Sequence, residues 1–262
     1  MTTMLRFDAE DARKLEGVYL TADVVAQRRE VLRLLALAPG ERVVDVGSGP
    51  GLLAVEMAAA VGPSGRVCGI DVSDSMLALA RGRKSAPDSA PVEYLSGGVE
   101  NLPYRDGAFD VAVSTQVMEY VPDIPAALAE IRRVLRPGGR LLVLDTDWDS
   151  IVWRCGDRER MRRVLVAWEQ HLADPHLPRR LTGELAAAGF DADVPRVLPL
   201  LNVGFDPDTY SAGIMAIIAA YVVGRDGLTH DDVDAWVADL RGQGDGAFFS
   251  LNRYQFGATR PA

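Results

Sequence analysis

Residues 42–51 read RVVDVGSGPG, in which a short run of β-branched residues leads directly into a glycine-rich turn. The segment that follows, LLAVEMAAAV at 52–61, is apolar and predicts a helix. Glycine lets the backbone turn tightly and approach a bound molecule closely, so this strand–turn–helix unit predicts a ligand-binding site. The turn alone does not identify the ligand, because dinucleotide-binding enzymes use a glycine-rich turn in the same place.

The segments that follow repeat this alternation of strands and helices. The short spacing between them favours a parallel sheet with helices on both faces. Right-handed crossovers then give a doubly wound, Rossmann-like α/β fold whose ligand cleft lies at the carboxyl ends of the strands. The strands of this half are predicted at 42–46, 66–70, 92–97, 109–114 and 140–145.

The pattern changes after residue 145. Two helical segments and one strand are followed by a helical insertion at 206–240 and a last strand at 247–259. We expect the last strand to pair antiparallel with its neighbour and to complete a seven-stranded sheet, with the insertion over the cleft. The expected organisation is a helical cap at 1–40 and a main domain at 41–262, with a cofactor half at 41–145 and a substrate-side half at 146–262.

The composition excludes several classes of partner. The net charge is −9, and both nucleic acid and anionic membranes favour a basic protein surface. No apolar run reaches the roughly 20 residues that span a bilayer, and the charged N-terminus does not resemble a secretion signal. The cysteines, Cys68 and Cys155, form no CxxC or Cys/His cluster, so we expect no disulfide and no metal. We therefore expect a cytoplasmic monomer or homodimer that acts on a small molecule.

Two acids flank the glycine turn and narrow the choice of ligand. Asp45 precedes the glycines, and Asp71 ends the next strand, 20 residues after Gly51. A carboxylate at the second position can accept both hydroxyls of a ribose, whereas two carboxylates would repel a pyrophosphate. S-adenosylmethionine carries a sulfonium, an ammonium and no phosphate. It therefore fits this pair of acids better than a nicotinamide dinucleotide does, and Leu52 stands where GxGxxG would have its third glycine.

Five motifs in residues 20–145 resemble the class I S-adenosylmethionine-dependent methyltransferases. The similarity is to the branch of small-molecule methyltransferases grouped with ubiquinone, menaquinone and sterol methylation. The motifs occur in the family's order and spacing, which makes the set far more specific than any one of them. They are VVDVGSGPG (43–51), GIDVSDSMLALAR (69–81), GGVENLPYRDGAFDVAVS (97–114), QVMEYVPD (116–123) and LRPGGRLLVLD (135–145).

The resemblance implies a cofactor site made of strand ends, turns and the N-terminal cap. Asp45 and the turn would hold the methionine end, Asp71 would bind the ribose, and Gln116 would line the methyl-transfer site. Two hydrophobic residues after the second strand and a pair after the third would enclose the adenine, and two cap residues would close over the cofactor. The full set is Tyr19, Arg28, Asp45, Gly47, Ser48, Gly49, Asp71, Val72, Met76, Gly98, Val99, Glu100 and Gln116.

The sequence departs from the family at two positions. An acid that contacts the adenine amino group is common where this chain has Gly98, so a backbone group or a water would have to make that contact. A histidine is common where this chain has Tyr120, whose phenol can hydrogen-bond and stack. Tyr120 is one candidate catalytic residue. His176, between two prolines, is the other, because histidine is the usual general base near neutral pH; its alternative interpretation is a surface loop residue.

Aromatic residues after the fifth strand are the candidates for binding the acceptor. Each has an alternative role in core packing, because large aromatic side chains are common in both settings. Glu119 is interpreted as a solvated acid at a helix start. The aromatic content suggests a hydrophobic or aromatic acceptor, with an indolic natural product as one candidate. The residues concerned are Trp148, Trp153, Tyr210, Tyr221 and Tyr254.

Other functions stay open at this stage. A nicotinamide-dependent oxidoreductase predicts GxGxxG and a catalytic Tyr/Lys or His pair, neither of which the sequence contains. A protein that binds S-adenosylmethionine without transferring methyl would share every cofactor motif. A methyltransferase acting on nucleic acid predicts a basic groove, which the acidic composition disfavours. The sequence does not distinguish methylation at carbon, nitrogen or oxygen.

Overall fold

The computed structural model describes residues 8–262. Its helices are α1 (Ala9–Tyr19), α2 (Ala22–Leu35), α3 (Leu52–Val61), α4 (Asp74–Arg81), α5 (Ile124–Val134), α6 (Arg158–Glu169), α7 (Pro178–Ala187), α8 (Tyr210–Val222) and α9 (His230–Gly242). Its strands are β1 (Arg42–Val46), β2 (Arg66–Asp71), β3 (Val92–Ser96), β4 (Phe109–Thr115), β5 (Leu135–Thr146), β6 (Val152–Trp153), β7 (Asp191–Ala192), β8 (Arg196–Val203) and β9 (Phe248–Thr259).

The strands form one mixed sheet in the order β3-β2-β1-β4-β5-β9, with β6, β7 and β8 paired to β9. Neighbours among β1 to β5 are parallel, and β9 runs antiparallel to β5 on one side and to β8 on the other. The predicted doubly wound fold with an antiparallel last strand is therefore confirmed. The described sheet has nine strands rather than seven, because β6 and β7 are additional strands of two residues each.

Alternation along the strands gives the sheet two apolar faces. Val44 and Val46 of β1 belong to a buried cluster with α5 and α7, whereas Val43 belongs to a second cluster with α2 and α3. Successive strand residues point to opposite faces, so a strand that is apolar throughout is buried on both sides. Polar groups of these central strands are consequently concentrated at the strand ends.

The insertion before the last strand forms two helices, α8 and α9, which meet through a turn at Gly224–Gly227. With α6 they bury a third apolar cluster that includes Trp168 and Trp236. The capping box at the start of α9 pairs Thr229 with Asp232 and fixes where that helix begins. This cluster supports the end of β9 that reaches the ligand cleft.

Helix length bears on membrane insertion. Within residues 8–262 the longest helix, α2, has 14 residues and is about 21 Å long, against a hydrocarbon core of about 30 Å. In that part of the chain, no helix has both the length and the apolar character to span a bilayer.

We expect the packing of α5 on the sheet to contribute strongly to stability. Leu128 of α5 is fully buried, so Leu128→Ala should lower the free energy of unfolding by about 2–5 kcal/mol in urea denaturation. Leu201→Ala is the matched control, because that side chain is 57% exposed, and should change stability by less than about 0.5 kcal/mol. Equal effects of the two substitutions would contradict the proposed core.

Candidate active site

A cavity of about 530 Å³ opens at the carboxyl ends of the parallel strands. Its walls come from α1 and α2, the turn between β1 and α3, and the ends of β2, β4, β5 and β9. The strand order reverses between β1 and β4, which is where doubly wound sheets bind ligands. The volume lies within the usual range for a small-molecule site, about 300–1,000 Å³.

The cavity brings together residues that the sequence separates by about a hundred positions. Asp45 lies behind the cavity wall and is 1% exposed. The rest of the predicted cofactor set lines the cavity, as does Tyr120: Tyr19, Arg28, Gly47, Ser48, Gly49, Asp71, Val72, Met76, Gly98, Val99, Glu100 and Gln116.

The glycine turn is held against the end of β2. The amides of Gly47 and Ser48 both donate to the carbonyl of Ile70, at 2.7 and 3.0 Å. Gly47 adopts a φ of +74°, and a Cβ there would lie 2.1 Å from a methyl group of Val117. Only glycine meets both conditions, so this position requires it.

Asp71 joins the turn to the start of α4. Its Oδ2 accepts a hydrogen bond from the Gly49 amide and its Oδ1 accepts one from the Ser73 amide, both at 2.8 Å. Each carboxylate oxygen keeps a second lone pair, so the fixed carboxylate can still accept from hydroxyl groups in the cavity. Burial raises the pKa of Asp71 above its ordinary value, and the backbone donors oppose that rise.

Asp45 carries an unsatisfied buried oxygen. Its Oδ2 has no hydrogen-bond partner among the described residues, and the same is true of the nearby Ser48 Oγ. Burial and repulsion from Asp71 raise the pKa of Asp45 to about 7. A cation next to this carboxyl group would offset both effects.

Glu100 occupies the space beside Gly98. A Cβ added at Gly98 would lie 2.9 Å from Glu100 Oε2. An acid is therefore present next to the position where the family often has one, although it is supplied two residues further along the chain. Glu100 belongs to the predicted cofactor set, and its position beside Gly98 depends on the turn around it.

Helices α1 and α2 are tied to α3 and to the glycine turn by two arginines. Arg28 of α2 donates to Glu56 of α3 at 2.8 Å and to the carbonyl of Tyr19 at 3.0 Å. Arg83 donates to the carbonyl of Pro50 in the glycine turn at 2.5 Å and also pairs with Glu16 of α1. These contacts place Tyr19 and Arg28 on the cavity wall.

Gln116 is held in an unfavourable backbone conformation. Its φ is +58°, in the left-handed region that residues other than glycine rarely adopt. The side chain is fixed at both ends, because Nε2 donates to the Leu144 carbonyl at 3.2 Å and Oε1 accepts from Thr146 Oγ1 at 2.7 Å. Strain of this kind is found often at functional sites, where the surrounding structure imposes it.

Tyr120 and His171 lie together on the cavity wall. His171 is 1% exposed, and its Nδ1 hydrogen-bonds the Trp168 carbonyl, which can only accept. Nδ1 therefore carries the proton, and Nε2 is an acceptor that lies 3.5 Å from the Tyr120 hydroxyl. Burial lowers the pKa of His171 to about 4 and raises that of Tyr120 well above its ordinary value, so both are neutral near pH 7. Sequence analysis gave no role in the cavity to His171.

Glu119 is not the solvated acid that we expected. It is 1% exposed, and its Oε2 accepts a hydrogen bond from Trp148 Nε1 at 3.0 Å. Burial raises its pKa to about 7. The short helical turn Met118–Tyr120 turns this side chain into the core, which residue spacing could not reveal.

Arg253 is a second residue that sequence analysis missed. It stands on β9 opposite Thr146 at the end of β5, lines the cavity and is 4% exposed. Nη1 donates to the side-chain oxygen of Gln27, another cavity residue, and the guanidinium carbon lies 4.9 Å from the centre of the Tyr210 ring. From the sequence, an arginine within an aromatic strand is expected at the surface. It is buried because β9 lies between β5 and β8 in the sheet.

The aromatic residues predicted to bind the acceptor do not line this cavity. Tyr254 points to the opposite sheet face from Arg253, because adjacent residues on a strand alternate. Trp148, Trp153, Tyr210 and Tyr221 belong to the third apolar cluster. Tyr210 and Tyr221 support Arg253 and His171 from behind, through ring contacts.

His176 also lies away from the cavity wall. Its Nδ1 is 3.1 Å from Asp147 Oδ1, and the carboxylates of Asp147 and Asp149 both pair with Arg179. Ligand atoms of His176 and the two acids lie within 4.8 Å of one another, a grouping that the sequence did not suggest. The Arg179 guanidinium already pairs with both carboxylates, which disfavours a second cation there.

Comparison with known proteins agrees with this geometry. Residues 44–143 match the family model described as a methyltransferase domain. A demethylmenaquinone methyltransferase of Bacillus mycoides is 34% identical over 127 residues, which cover 48% of this chain and 54% of that protein. An uncharacterized 37.1 kDa protein in a transposon of Streptomyces fradiae is 40% identical over 187 residues, which cover 70% of this chain and 52% of that protein. The chain thus spans about half the length of these curated relatives.

The fold is shared with solved methyltransferase structures. Phosphoethanolamine N-methyltransferase 2 of Haemonchus contortus, in complex with S-adenosylmethionine, superimposes with a TM-score of 0.64 at 19% identity. The match covers 97% of this chain and 58% of that one. Together, the matched domain, the relatives, the sheet order and the glycine turn support a class I S-adenosylmethionine-dependent methyltransferase domain at residues 44–143. The resemblance inferred from the sequence motifs is confirmed.

The burial of neutral His171 should make stability depend on pH. Its folded pKa of about 4 lies below the ordinary value of 6.5, so the unfolded chain binds a proton first as the pH falls. The stability that this group contributes is complete above about pH 6.5 and is lost toward about pH 4, a loss on the order of 3 kcal/mol. His171→Gln should remove this part of the pH dependence in urea denaturation. His230→Gln, at an exposed helix start, is the matched control, and identical profiles for wild type and His171→Gln would contradict the assignment.

Proposed function

We propose that the protein transfers a methyl group from S-adenosylmethionine to a small-molecule acceptor by in-line displacement. The observation that carries the proposal is one cavity that is lined both by the glycine turn and Asp71 and by Tyr120, His171 and Arg253; the part lined by the last three is here called the acceptor chamber. One end has the groups that suit a cationic nucleoside cofactor, and the other end has room and polar groups for a second molecule.

The cofactor end fits S-adenosylmethionine in its charges and in its unsatisfied atoms. Asp45 Oδ2 and Ser48 Oγ are buried and have no partner within residues 8–262, which suits an ammonium donor near the turn. Asp71 is fixed where it can accept ribose hydroxyls, and Glu100 lies beside the place expected for the adenine amino group. Val72, Met76 and Val99 supply the apolar contacts. The three acids would repel a pyrophosphate, which disfavours a nicotinamide dinucleotide.

The protein's contribution to the reaction is orientation and exclusion of water. When bound, S-adenosylmethionine supplies a methyl group that is already activated by its sulfonium. The fixed side chain of Gln116 and the Tyr120 hydroxyl, oriented by His171, would hold the acceptor atom in line with that methyl group. Placing two reactants in a productive geometry can lower a barrier by several kcal/mol without a base. His176, outside the cavity wall, has no role in this proposal.

The same proposal covers organisation and setting. We propose that residues 1–40, of which 1–7 lie outside the described residues, act as a cap over the cofactor. Residues 41–262 then form the methyltransferase domain, with a cofactor half at 41–145 and a substrate-side half at 146–262. The insertion at 206–240 supports the acceptor chamber. We propose a cytoplasmic monomer or homodimer that uses no metal. The acceptor is proposed to be hydrophobic or aromatic, because most of the cavity lining is apolar.

Binding of the cofactor is the first test. Calorimetric titration should show micromolar binding of S-adenosylmethionine and S-adenosylhomocysteine and none of NAD. Asp71→Ala should weaken the adenosyl ligands by at least about 30-fold, because two charge-assisted hydrogen bonds are lost. Asp74→Ala removes an exposed acid three residues further on, at the start of α4, and should leave the affinity for the adenosyl ligands unchanged. Absence of adenosyl binding to the wild type would overturn the proposed function.

Catalysis tests the acceptor chamber. With the wild type, formation of S-adenosylhomocysteine in the presence of a panel of phenols, indoles and hydroxylated aromatic acids should identify an acceptor. Tyr120→Phe should then lower kcat by about 10- to 1,000-fold with little effect on cofactor affinity, because it removes the oriented hydroxyl but keeps the ring. Tyr104→Phe, at a partly buried tyrosine outside the cavity lining, is the matched control. Unchanged kcat in Tyr120→Phe would remove that residue from the reaction.

A further inference from the structure

Arg253 is a cationic side chain with little of its charge satisfied. It is 4% exposed, and Nε has no hydrogen-bond partner among residues 8–262. Its guanidinium forms no ion pair in that part of the chain; it hydrogen-bonds the side chains of Gln27 and Tyr210 and lies 4.9 Å from the centre of the Tyr210 ring. A buried guanidinium is costly without a negative partner, so this arrangement suits a site completed by a ligand.

The acids near Arg253 do not neutralise it directly. Glu119 is close enough for the Arg253 charge to oppose the rise in its pKa, but its carboxylate is engaged by Trp148 and forms no ion pair with the arginine. Asp145, on the neighbouring strand, accepts a hydrogen bond from the Val117 amide at 3.0 Å. Neither acid lines the cavity, whereas Arg253 does.

The position of Arg253 in the sheet separates it from the cofactor end. β9 is three strands from β1, which carries the glycine turn, and four from β2, which carries Asp71. At about 4.8 Å per strand, these separations are about 14 and 19 Å. The cofactor's ribose would lie at Asp71, so the guanidinium belongs to the chamber for the acceptor.

The other polar groups of that chamber do not supply a strong base. The His171 Nε2 is a neutral acceptor, and the Tyr120 phenol stays protonated. Such a chamber suits an acceptor that arrives already ionised, for which a guanidinium is the matching group. Between this cation and a bound sulfonium, an anionic oxygen would be attracted from both sides.

We infer that Arg253 binds an anionic oxygen group, such as a carboxylate or an ionised phenol or enol oxygen, on the methyl acceptor. The inference rests on the proposed function for its description of the ligand as an acceptor. Gln27 and Tyr210 hold the guanidinium plane. Gln27 accepts a hydrogen bond from Arg253 Nη1, and its own Nε2 donates to the Leu198 carbonyl at 3.4 Å, which fixes the amide. Tyr210 contacts the guanidinium with the face of its ring. The guanidinium N–H donors that Gln27 and Tyr210 do not use remain for an oxygen ligand.

The test compares two probes of the same shape, benzoate and benzamide. Ligand-observed NMR should measure their affinities for the protein alone and for the protein saturated with S-adenosylhomocysteine. The wild type should prefer benzoate by about 10- to 100-fold, as expected for a charge-assisted pair. Arg253→Met should abolish that preference and leave affinity for S-adenosylhomocysteine within about twofold. Arg241→Met is the matched control. It removes one positive charge from an exposed position on α9 outside the cavity lining, and this variant should keep the preference for benzoate.

Each outcome decides between the alternatives. Equal affinity for the two probes in the wild type, or a preference that survives Arg253→Met, would overturn the inference. Loss of S-adenosylhomocysteine binding in Arg253→Met would assign the arginine to the cofactor instead. Arg253→Lys keeps the charge without the planar fork and should retain part of the preference, which serves if the methionine variant fails to fold. If the wild type bound no adenosyl ligand, the proposed function would fail, and the probes on the protein alone would still test Arg253.

Discussion

The structure depends on the burial of a parallel sheet on both faces. Helices cover β1, β2, β4 and β5 on each side, so these strands are apolar along most of their length. A polar side chain in such a strand would be costly, and the chain places its polar groups where the strands end. The carboxyl edge of the sheet therefore becomes both the position of the cleft and the main source of its chemistry.

The cleft has two electrostatic ends. Asp45 and Asp71 flank the glycine turn and Glu100 lies beside Gly98, whereas Arg253 lines the cavity together with His171 and Tyr120, both neutral. This division matches a reaction in which a cationic donor meets an electron-rich acceptor. It arises because β9 inserts between β5 and β8, which brings a C-terminal arginine to the same edge as the first strands.

The aromatic residues of the second half act behind the site. Trp148 satisfies the buried carboxylate of Glu119, and Trp168 supplies the carbonyl that selects the His171 tautomer. Tyr210 lies against the guanidinium of Arg253. The third apolar cluster thus orients the polar groups that face the cavity, which explains why an insertion of helices precedes the last strand.

The proposed cofactor residues, all but Asp45 of which line the cavity, were predicted from motifs that resemble a known family. The sequence by itself determined the parallel strands and the glycine turn, because these follow from local patterns: β-branched runs and glycines at fixed spacing. It did not reveal Arg253, His171 or the orientation of Glu119, and it favoured aromatic residues that lie in the core. Those positions depend on contacts between residues up to 226 apart, as in the bond between Arg253 and Gln27. Only tertiary packing decided which side of each strand and helix faces the cavity, because one residue of register moves a side chain from the ligand to the core.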